Sequence, residues 1–547
     1  MKHNRAVTGL AFAALFFAVL LPPEAYPDGK LAVILCATFA FFSSLIERRI
    51  PRPYVYGGLT AFGLLILHSF LLSVDTYRSL EFATMLWAYY CLFGFFFYAE
   101  FEPEKPLAVC MVVLCAIVSG YGIYQYFWGF EELYNYVSHS GSTEIAKIPA
   151  LERIGSRRVF STLALPGTLW GFLAVSLPFH AYLWRESRHA RPLIAAGIAM
   201  LLATGFLTRS FGFLVGLFLL AAGWLFIHHR RVIWRLAPIV LILVLVAGVF
   251  YSIRQGGITT ANPLSLRAMN MITAWTIFAA YPMGSGLNTY GILYSQYRLP
   301  GSNESQYAHN TLLQLLAELG YLALIAGAGV LLLVLGAWHR GELRRLSPYL
   351  VLALAVWSAH NLIDINVYFG SLGVVGTMLL ATTLKRQSLP SQPALPRAVT
   401  AALVSLATVT LVFSGLVMVS SELQVRSQGE FDGNNLQAAA RTMATATALM
   451  PFNSSLFHDF GDVHLNLYHK ERDYKHLDLA TRSFQRAIKL SPNKVGPHIG
   501  LSLCFSSANR VDDARAQLRV AERLYPDSTY VQAVARLLDK RKAGMNN

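Results

Sequence analysis

The stretch AHNTLLQLLAELGYLALI puts His309 and Asn310 at the start of an apolar run, with Glu318 nine residues beyond His309. Arginines stand at the edges of other apolar runs. Arg157 and Arg158 lie in GSRRVFSTLALPG, Arg209 in LTRSFG, Arg267 in LSLRAMNMITAW and Arg298 in the polar stretch YRLPGSN. Charge at a membrane mouth is expensive to maintain, so these residues are candidates for function. Planar guanidiniums suit phosphate oxygens through paired, charge-assisted hydrogen bonds. An imidazole can take a proton near neutral pH. Together they fit the departure of a phosphate-type leaving group from a centre attacked by a hydroxyl. His360, Asn361 and Asp364 form a second polar cluster at the end of another apolar run, and are expected to orient or pack.

Other chemistries lack their residues. Carboxylates are sparse around the arginines, which argues against a Mg²⁺ or Mn²⁺ site, and no metal ligand set is expected. No phosphate-binding P-loop, GxSxG elbow or dinucleotide fingerprint occurs, so no cofactor is expected. Cys36, Cys91, Cys110, Cys115 and Cys504 contain no CxxC pair and outline no disulfide framework.

The elements that must position these groups are apolar. The 547 residues are 55% hydrophobic and 14% charged, against about 25% charged in soluble domains. That excludes an ordinary cytosolic enzyme and a disordered scaffold. A bilayer-crossing helix needs about 20 apolar residues, and about thirteen such runs are readable. They fall near 7–22, 31–46, 54–74, 79–98, 107–127, 163–183, 192–208, 210–227, 235–252, 309–337, 348–364, 369–384 and 398–420. The first run follows a basic N-terminus and reads as a retained signal anchor.

With the N-terminus in the cytoplasm, Lys and Arg gather in the inner turns, Arg48, Arg49, Arg52, Arg185, Arg188 and Lys385 among them. The short outer turns hold only Lys30, Arg78 and Arg209. This is the positive-inside pattern, so much of the net charge of +15 is topology, and no nucleic-acid partner is expected. Two long outer loops, 128–162 and 253–308, carry four of the five candidate arginines. Residues 268–280 read as an amphipathic helix on the membrane surface, with Arg267 at its start, where the helix dipole disfavours a cation.

After Ser421 the composition becomes that of a soluble protein. Pro492 and Pro526 are 34 residues apart, as are Ala480 and Ala514, and Ala487 and Ala521. The spacing resembles tetratricopeptide (TPR) repeats, whose small residues let paired helices approach closely. The expected fold is therefore all-α: a polytopic membrane helix bundle over 1–420, then a soluble TPR-like α-hairpin domain over 421–547. Such a stack offers a surface to a protein partner.

The motifs RRVFSTLALPGTLWGFL, LTRSFGFLVGL, LRAMNMITAWTIFAAYPMGSGLNTY and AHNTLLQLLAELGYLALI occur in that order. In this they resemble the O-antigen ligase/polymerase superfamily of bacterial membrane glycosyltransferases, over roughly residues 30–385. Leu165-Pro166-Gly167 stands where that family often has Asn-Pro-Asn, and Arg209-Ser210 where it often has Ser-Arg. The resemblance implies metal-independent, inverting transfer of a glycan from undecaprenyl pyrophosphate to an acceptor hydroxyl, on the periplasmic face of the inner membrane. The C-terminal domain would then be periplasmic. On this reading His309, Arg209 and Arg267 are catalytic, and Arg157, Arg158, Arg298, Asn310 and Glu318 bind substrate. The acceptor could be lipid A core, another lipid-linked glycan (a polymerase), or a protein hydroxyl (an O-oligosaccharyltransferase). A polyprenyl-glycan flippase is the reading from a different class. It would place charges along a central path on both sides of the midplane, whereas here they gather at one mouth.

Overall fold

The computed structural model describes residues 5–139, 151, 154–210, 263–339, 346–385 and 391–545. Among these residues every regular element is a helix. The N-terminal bundle contains α1 (Arg5–Leu20), α2 (Pro27–Ile46), α3 (Arg52–Leu71), α4 (Thr76–Phe97), α5 (Glu104–Tyr124), α6 (Phe130–His139), α7 (Pro166–Glu186) and α8 (Arg191–Leu207). Proline opens α2, α3, α7 and α8 in the first turn, where its fixed φ suits the helix and its missing N–H is not needed. Asp75 caps α4 by accepting the Arg78 N–H.

Then come α9 (Pro263–Ala280), α10 (Tyr290–Tyr297), α11 (Thr311–Leu319), α12 (Tyr321–His339), α13 (Pro348–His360) and α14 (Gly370–Thr383). Pro27–Ile46, Arg52–Leu71, Thr76–Phe97, Glu104–Ser138 and Arg397–Asp432 are long and apolar enough to cross a membrane, and several shorter helices are equally apolar. Their shared core includes Phe41, Trp87, Phe96, Trp170, Phe172 and Phe179. The chain is thus an all-helical polytopic bundle.

Contacts define the two ends of the bundle. At one end Arg49 pairs with Glu47 at 2.7 Å and with Glu100 at 3.2 Å, and Lys385 pairs with Glu102 at 2.7 Å. Arg52 Nε donates to the Ala394 carbonyl at 3.2 Å, and the Gln392 N–H to the Arg48 carbonyl at 2.8 Å. The opposite end carries residues 21–26, 72–75, 155–165, 208–210, 281–310 and 361–369, where Arg157, Arg158, Arg209, Arg298, His309 and Asn310 lie.

Three expectations about the elements need correction. The run 309–337 is two helices, α11 and α12, broken at Gly320. The loop 128–162 is not all loop, because α5 continues through a π-helical turn, Gln125–Gly129, into α6. No break occurs at 421: α15 (Arg397–Asp432) is one 36-residue helix, about 54 Å long at 1.5 Å per residue, and the composition changes midway along it. The runs 210–227 and 235–252 lie outside the described residues.

Beyond α15 come α16 (Leu436–Leu449), α17 (Ser454–Glu471), α18 (Tyr474–Leu490), α19 (Val495–Ser507), α20 (Val511–Leu524) and α21 (Thr529–Met545). Neighbours pack in pairs, α15 with α16, α17 with α18 and α19 with α20. Ala480, Ala487, Ala514 and Ala521 are all fully buried, as close helix approach requires.

Gly320 permits the break before α12. Its φ is 59° and ψ −137°, a region only glycine occupies readily. A Cβ there would fall 2.1 Å from the Pro282 carbonyl oxygen. Gly320→Ala is expected to destabilise the turn by about 1–3 kcal/mol. Thermal unfolding of the detergent-solubilised variant checks this, and an unchanged transition would show that the close approach to Pro282 relaxes freely.

Candidate functional site

His309 sits in the left-handed region, at φ 53°, one residue before the N-cap of α11. Its Nδ1 faces the Asp364 carboxylate, with Nδ1 to Oδ1 at 3.5 Å. That is longer than an ordinary hydrogen bond, so the pair is poised rather than closed. The His309 side chain is 24% exposed and that of Asp364 5%. With Nδ1 turned toward the carboxylate, Nε2 is the nitrogen left for chemistry.

Asp364 lies in the turn after α13, which is stitched to the start of α11. The Thr311 N–H donates to the Asn361 carbonyl at 2.9 Å, and Thr311 Oγ1 donates to Asn361 Oδ1 at 2.7 Å. The Asp364 N–H donates back to the His360 carbonyl at 2.8 Å. Burial pushes the Asp364 carboxyl up, but interaction with His309 and the charges of His360 and Arg267 outweigh it and hold it at about 2. The Arg267 charge thus acts on Asp364. Asp364 Oδ2 also stands at the N-terminus of α7, only 2.8 Å from where a Cβ on Gly167 would be. The positive end of a helix dipole favours an anion there. His360 belongs to the same group, its Nδ1 donating to Asn366 Oδ1 at 2.7 Å.

Arg157, Arg158 and Arg209 form a second group. The Val159 N–H donates to the Leu207 carbonyl at 3.2 Å. Arg158 Nε donates to the Thr208 carbonyl at 3.1 Å, and Arg209 Nη1 to the Ser156 carbonyl at 3.4 Å. All three side chains are exposed. Arg157 and Arg209 hold φ values of 49° and 46°, uncommon for arginine. Such backbone strain clusters at functional sites. The segment from Val159 to Gly167 joins this arginine edge to Asp364. Gln125, in the π-helical turn, fixes its start by accepting from the Phe160 and Ser161 N–H groups at 3.0 and 2.9 Å.

The structure does not bring every expected site residue to the mouth. Glu318 is fully buried. Its carboxylate accepts from the Asn288 N–H at 2.6 Å, the Tyr290 N–H at 3.1 Å, the Tyr368 hydroxyl at 2.6 Å and Gln314 Nε2 at 3.3 Å. A carboxylate so occupied has no oxygen to spare for a ligand, and it clasps the turn 284–290 instead. Asn310 is the N-cap of α11, accepting from the Leu313 N–H at 3.0 Å and donating to the Leu362 carbonyl at 3.0 Å. Arg298 lies over the Tyr525 ring at 4.6 Å and 3.8 Å from Asp527, in the C-terminal domain. Glu318, Asn310 and Arg298, expected to bind substrate, are thus each engaged by protein partners. Arg267 is not at its helix start either: α9 begins at Pro263, so the residue sits a full turn inside, half-buried. Asp364 was legible as part of a polar cluster, but its pairing with a histidine fifty-five residues earlier carries no sequence signal.

Among the described residues, His458, Asp459 and Asp462 place one ligand atom each within 4.8 Å of one another. They lie on α17 in the C-terminal domain, with the Lys494 charge acting on His458 and Asp459.

Residues 195–327 match the family model described as O-antigen ligase. The segment runs from α8 to the start of α12 and contains Arg209, Arg267, His309 and Glu318. Over that segment, less than half of the chain, the sequence is similar to the O-antigen ligase family, and this supports a membrane protein of the O-antigen ligase/polymerase type. Comparison with curated proteins gives no match.

Two outcomes follow from this geometry. The pairing of Asp364 with His309 is present above the ordinary aspartate range of about 4 and is lost only as pH falls through about 2. Asp364→Asn should therefore lower turnover at every pH above that range, by about 10²–10⁴, in protein that inserts normally. A pH–rate profile checks it, and a loss confined to low pH would contradict it. Glu318→Ala orphans buried donors, at about 1–3 kcal/mol for each one left unpaired. It should lower the unfolding temperature, and a variant that melts normally yet binds donor poorly would return Glu318 to the ligand.

Proposed function

We propose that the chain is a glycosyltransferase moving a glycan from undecaprenyl pyrophosphate to an acceptor hydroxyl. The observation that carries this is the His309–Asp364 pair at 3.5 Å, with the Arg267 charge acting on Asp364, at one end of an apolar bundle of which residues 195–327 match the O-antigen ligase family. The basic turns of the opposite end support a cytoplasmic placement there, and on this reading the site faces the periplasm from the inner membrane.

The reaction is a single displacement. The acceptor O–H gives its proton to His309 Nε2 while its oxygen attacks the anomeric carbon. The bond from that carbon to the diphosphate oxygen breaks, and undecaprenyl pyrophosphate leaves with the electron pair. Asp364 holds the ring and stabilises the imidazolium, as a buried carboxylate does for a catalytic histidine. Arg267 has five N–H donors in a fixed fork, suited to a phosphate oxygen. Arg209, with Arg157 and Arg158, supplies further positive charge for the diphosphate, which develops charge as the bond breaks. Fixed charge of that kind is often the largest catalytic contribution. The attacked sugar passes through an oxocarbenium-like state. Guanidinium charge does here what a bound divalent cation does in other transferases. The C-terminal helix pairs are read as a TPR-like domain on the same side as the site.

The test is transfer by purified protein from a lipid-linked oligosaccharide, with lipid A core, a second lipid-linked glycan or a protein offered in turn. His309→Ala should lose about 10²–10⁴ in rate, and Arg267→Ala and Arg209→Ala should lose turnover without losing insertion. Near-normal turnover by His309→Ala removes the imidazole from the reaction. Product mass separates ligation, polymerisation and protein glycosylation.

A further inference from the structure

The C-terminal helices are seated on the end of the bundle that carries the site, and two sets of contacts reach toward His309. In the first, Lys494 directs its ammonium protons at Ser454 Oγ (2.6 Å), Ser455 Oγ (3.0 Å) and Asp75 Oδ2 (3.2 Å). Asp75 is buried, and its other oxygen caps α4. Ser454 Oγ also donates to Asp75 Oδ2 at 3.2 Å, and Ser491 Oγ donates to the Val74 carbonyl at 3.4 Å. The Val74 N–H continues the path, donating to the Ser285 carbonyl at 2.9 Å. The Ser285 and Gly286 N–H groups then donate to the Ala317 and Glu318 carbonyls at 3.2 and 2.9 Å. Those carbonyls belong to α11, whose N-cap follows His309.

In the second, Arg298 stacks over Tyr525 at 4.6 Å and lies 3.8 Å from Asp527. The Tyr525 hydroxyl donates to the Glu304 carboxylate. Arg298 and Glu304 bracket the segment that leads to His309. The C-terminal domain thus grips that segment at its start and, through the 73–75 strap, the helix at its end.

We propose that Lys494 and Arg298 are positioning residues for transfer, through which the C-terminal helical domain holds the His309 segment in its reactive placement. This rests on the reading of His309 as the proton acceptor. A half-buried lysine with each proton matched to an acceptor holds one geometry, and removing it leaves the buried Asp75 carboxylate without its cation. The strained φ of His309 needs such support, since a residue in that region persists only where its surroundings enforce it. Simple docking of a recruiting module would leave turnover untouched when the contacts are loosened.

The experiment uses full-length protein, reconstituted in liposomes, with a lipid-linked oligosaccharide as donor. Lys494→Met and Arg298→Gln are each expected to lower kcat about 10- to 100-fold, the scale of a misplacement of about 1 Å, with donor KM held within about twofold. Amide exchange across 299–310 should quicken in both, and Lys494→Arg should restore both readouts. Arg298→Gln sits at a more exposed contact and keeps the test open if Lys494→Met fails to insert. Full kcat alongside quickened exchange overturns the proposal, as does reduced kcat with exchange across 299–310 unchanged. His309→Ala is the reference. If it transfers normally, the reading of His309 fails; if it is inactive while both variants keep full kcat, only the positioning role fails.

Discussion

An ionised carboxylate in an apolar surround must find compensating charge and donors or give up its proton. Asp364 meets that demand with His309, His360, Arg267 and the N-terminus of α7. Each of those partners comes from a different part of the chain. Satisfying one carboxylate therefore ties together the start of α7, the His309 segment and the turn after α13. Gly167 belongs to the same constraint, because any side chain there would meet the carboxylate. The departure from Asn-Pro-Asn at Leu165-Pro166-Gly167 has a local physical meaning: the small residue gives Asp364 its room.

Glu318 does the equivalent work one layer deeper. It ties the turn 284–290 to α11, and Tyr368 to both. The break at Gly320 then lets α11 remain a short, internally packed helix while α12 departs as an apolar one. The backbone strain at Arg157, Arg209 and His309 sits where these layers meet the bundle end.

Much of this was legible in the sequence. Charge and hydropathy patterning gave the helices, and a histidine and arginines at apolar edges pointed to the residues that the structure groups in two clusters. What stayed hidden depends on tertiary partners. Glu318 and Asn310 are polar residues beside an apolar run, and nothing local distinguishes a ligand-facing carboxylate from one enclosed by four donors. Arg298 lies in a polar loop, and its aromatic and acidic neighbours are more than two hundred residues away. The helix start before Arg267 was misjudged by one turn, since Pro263 opens α9 and weakens the dipole argument. The change at Ser421 is a change of surroundings, from apolar neighbours to water, along a helix that itself does not break.

The central claim is a single displacement in which His309 takes the proton of the acceptor hydroxyl while arginine charge receives the departing diphosphate. The anomeric configuration of the new glycosidic bond tests it most directly, read by NMR on product made by the purified protein from a donor of known configuration. One displacement predicts inversion at the anomeric carbon. Retention would demand a covalent glycosyl intermediate on a nucleophile that this account does not contain, and would contradict it.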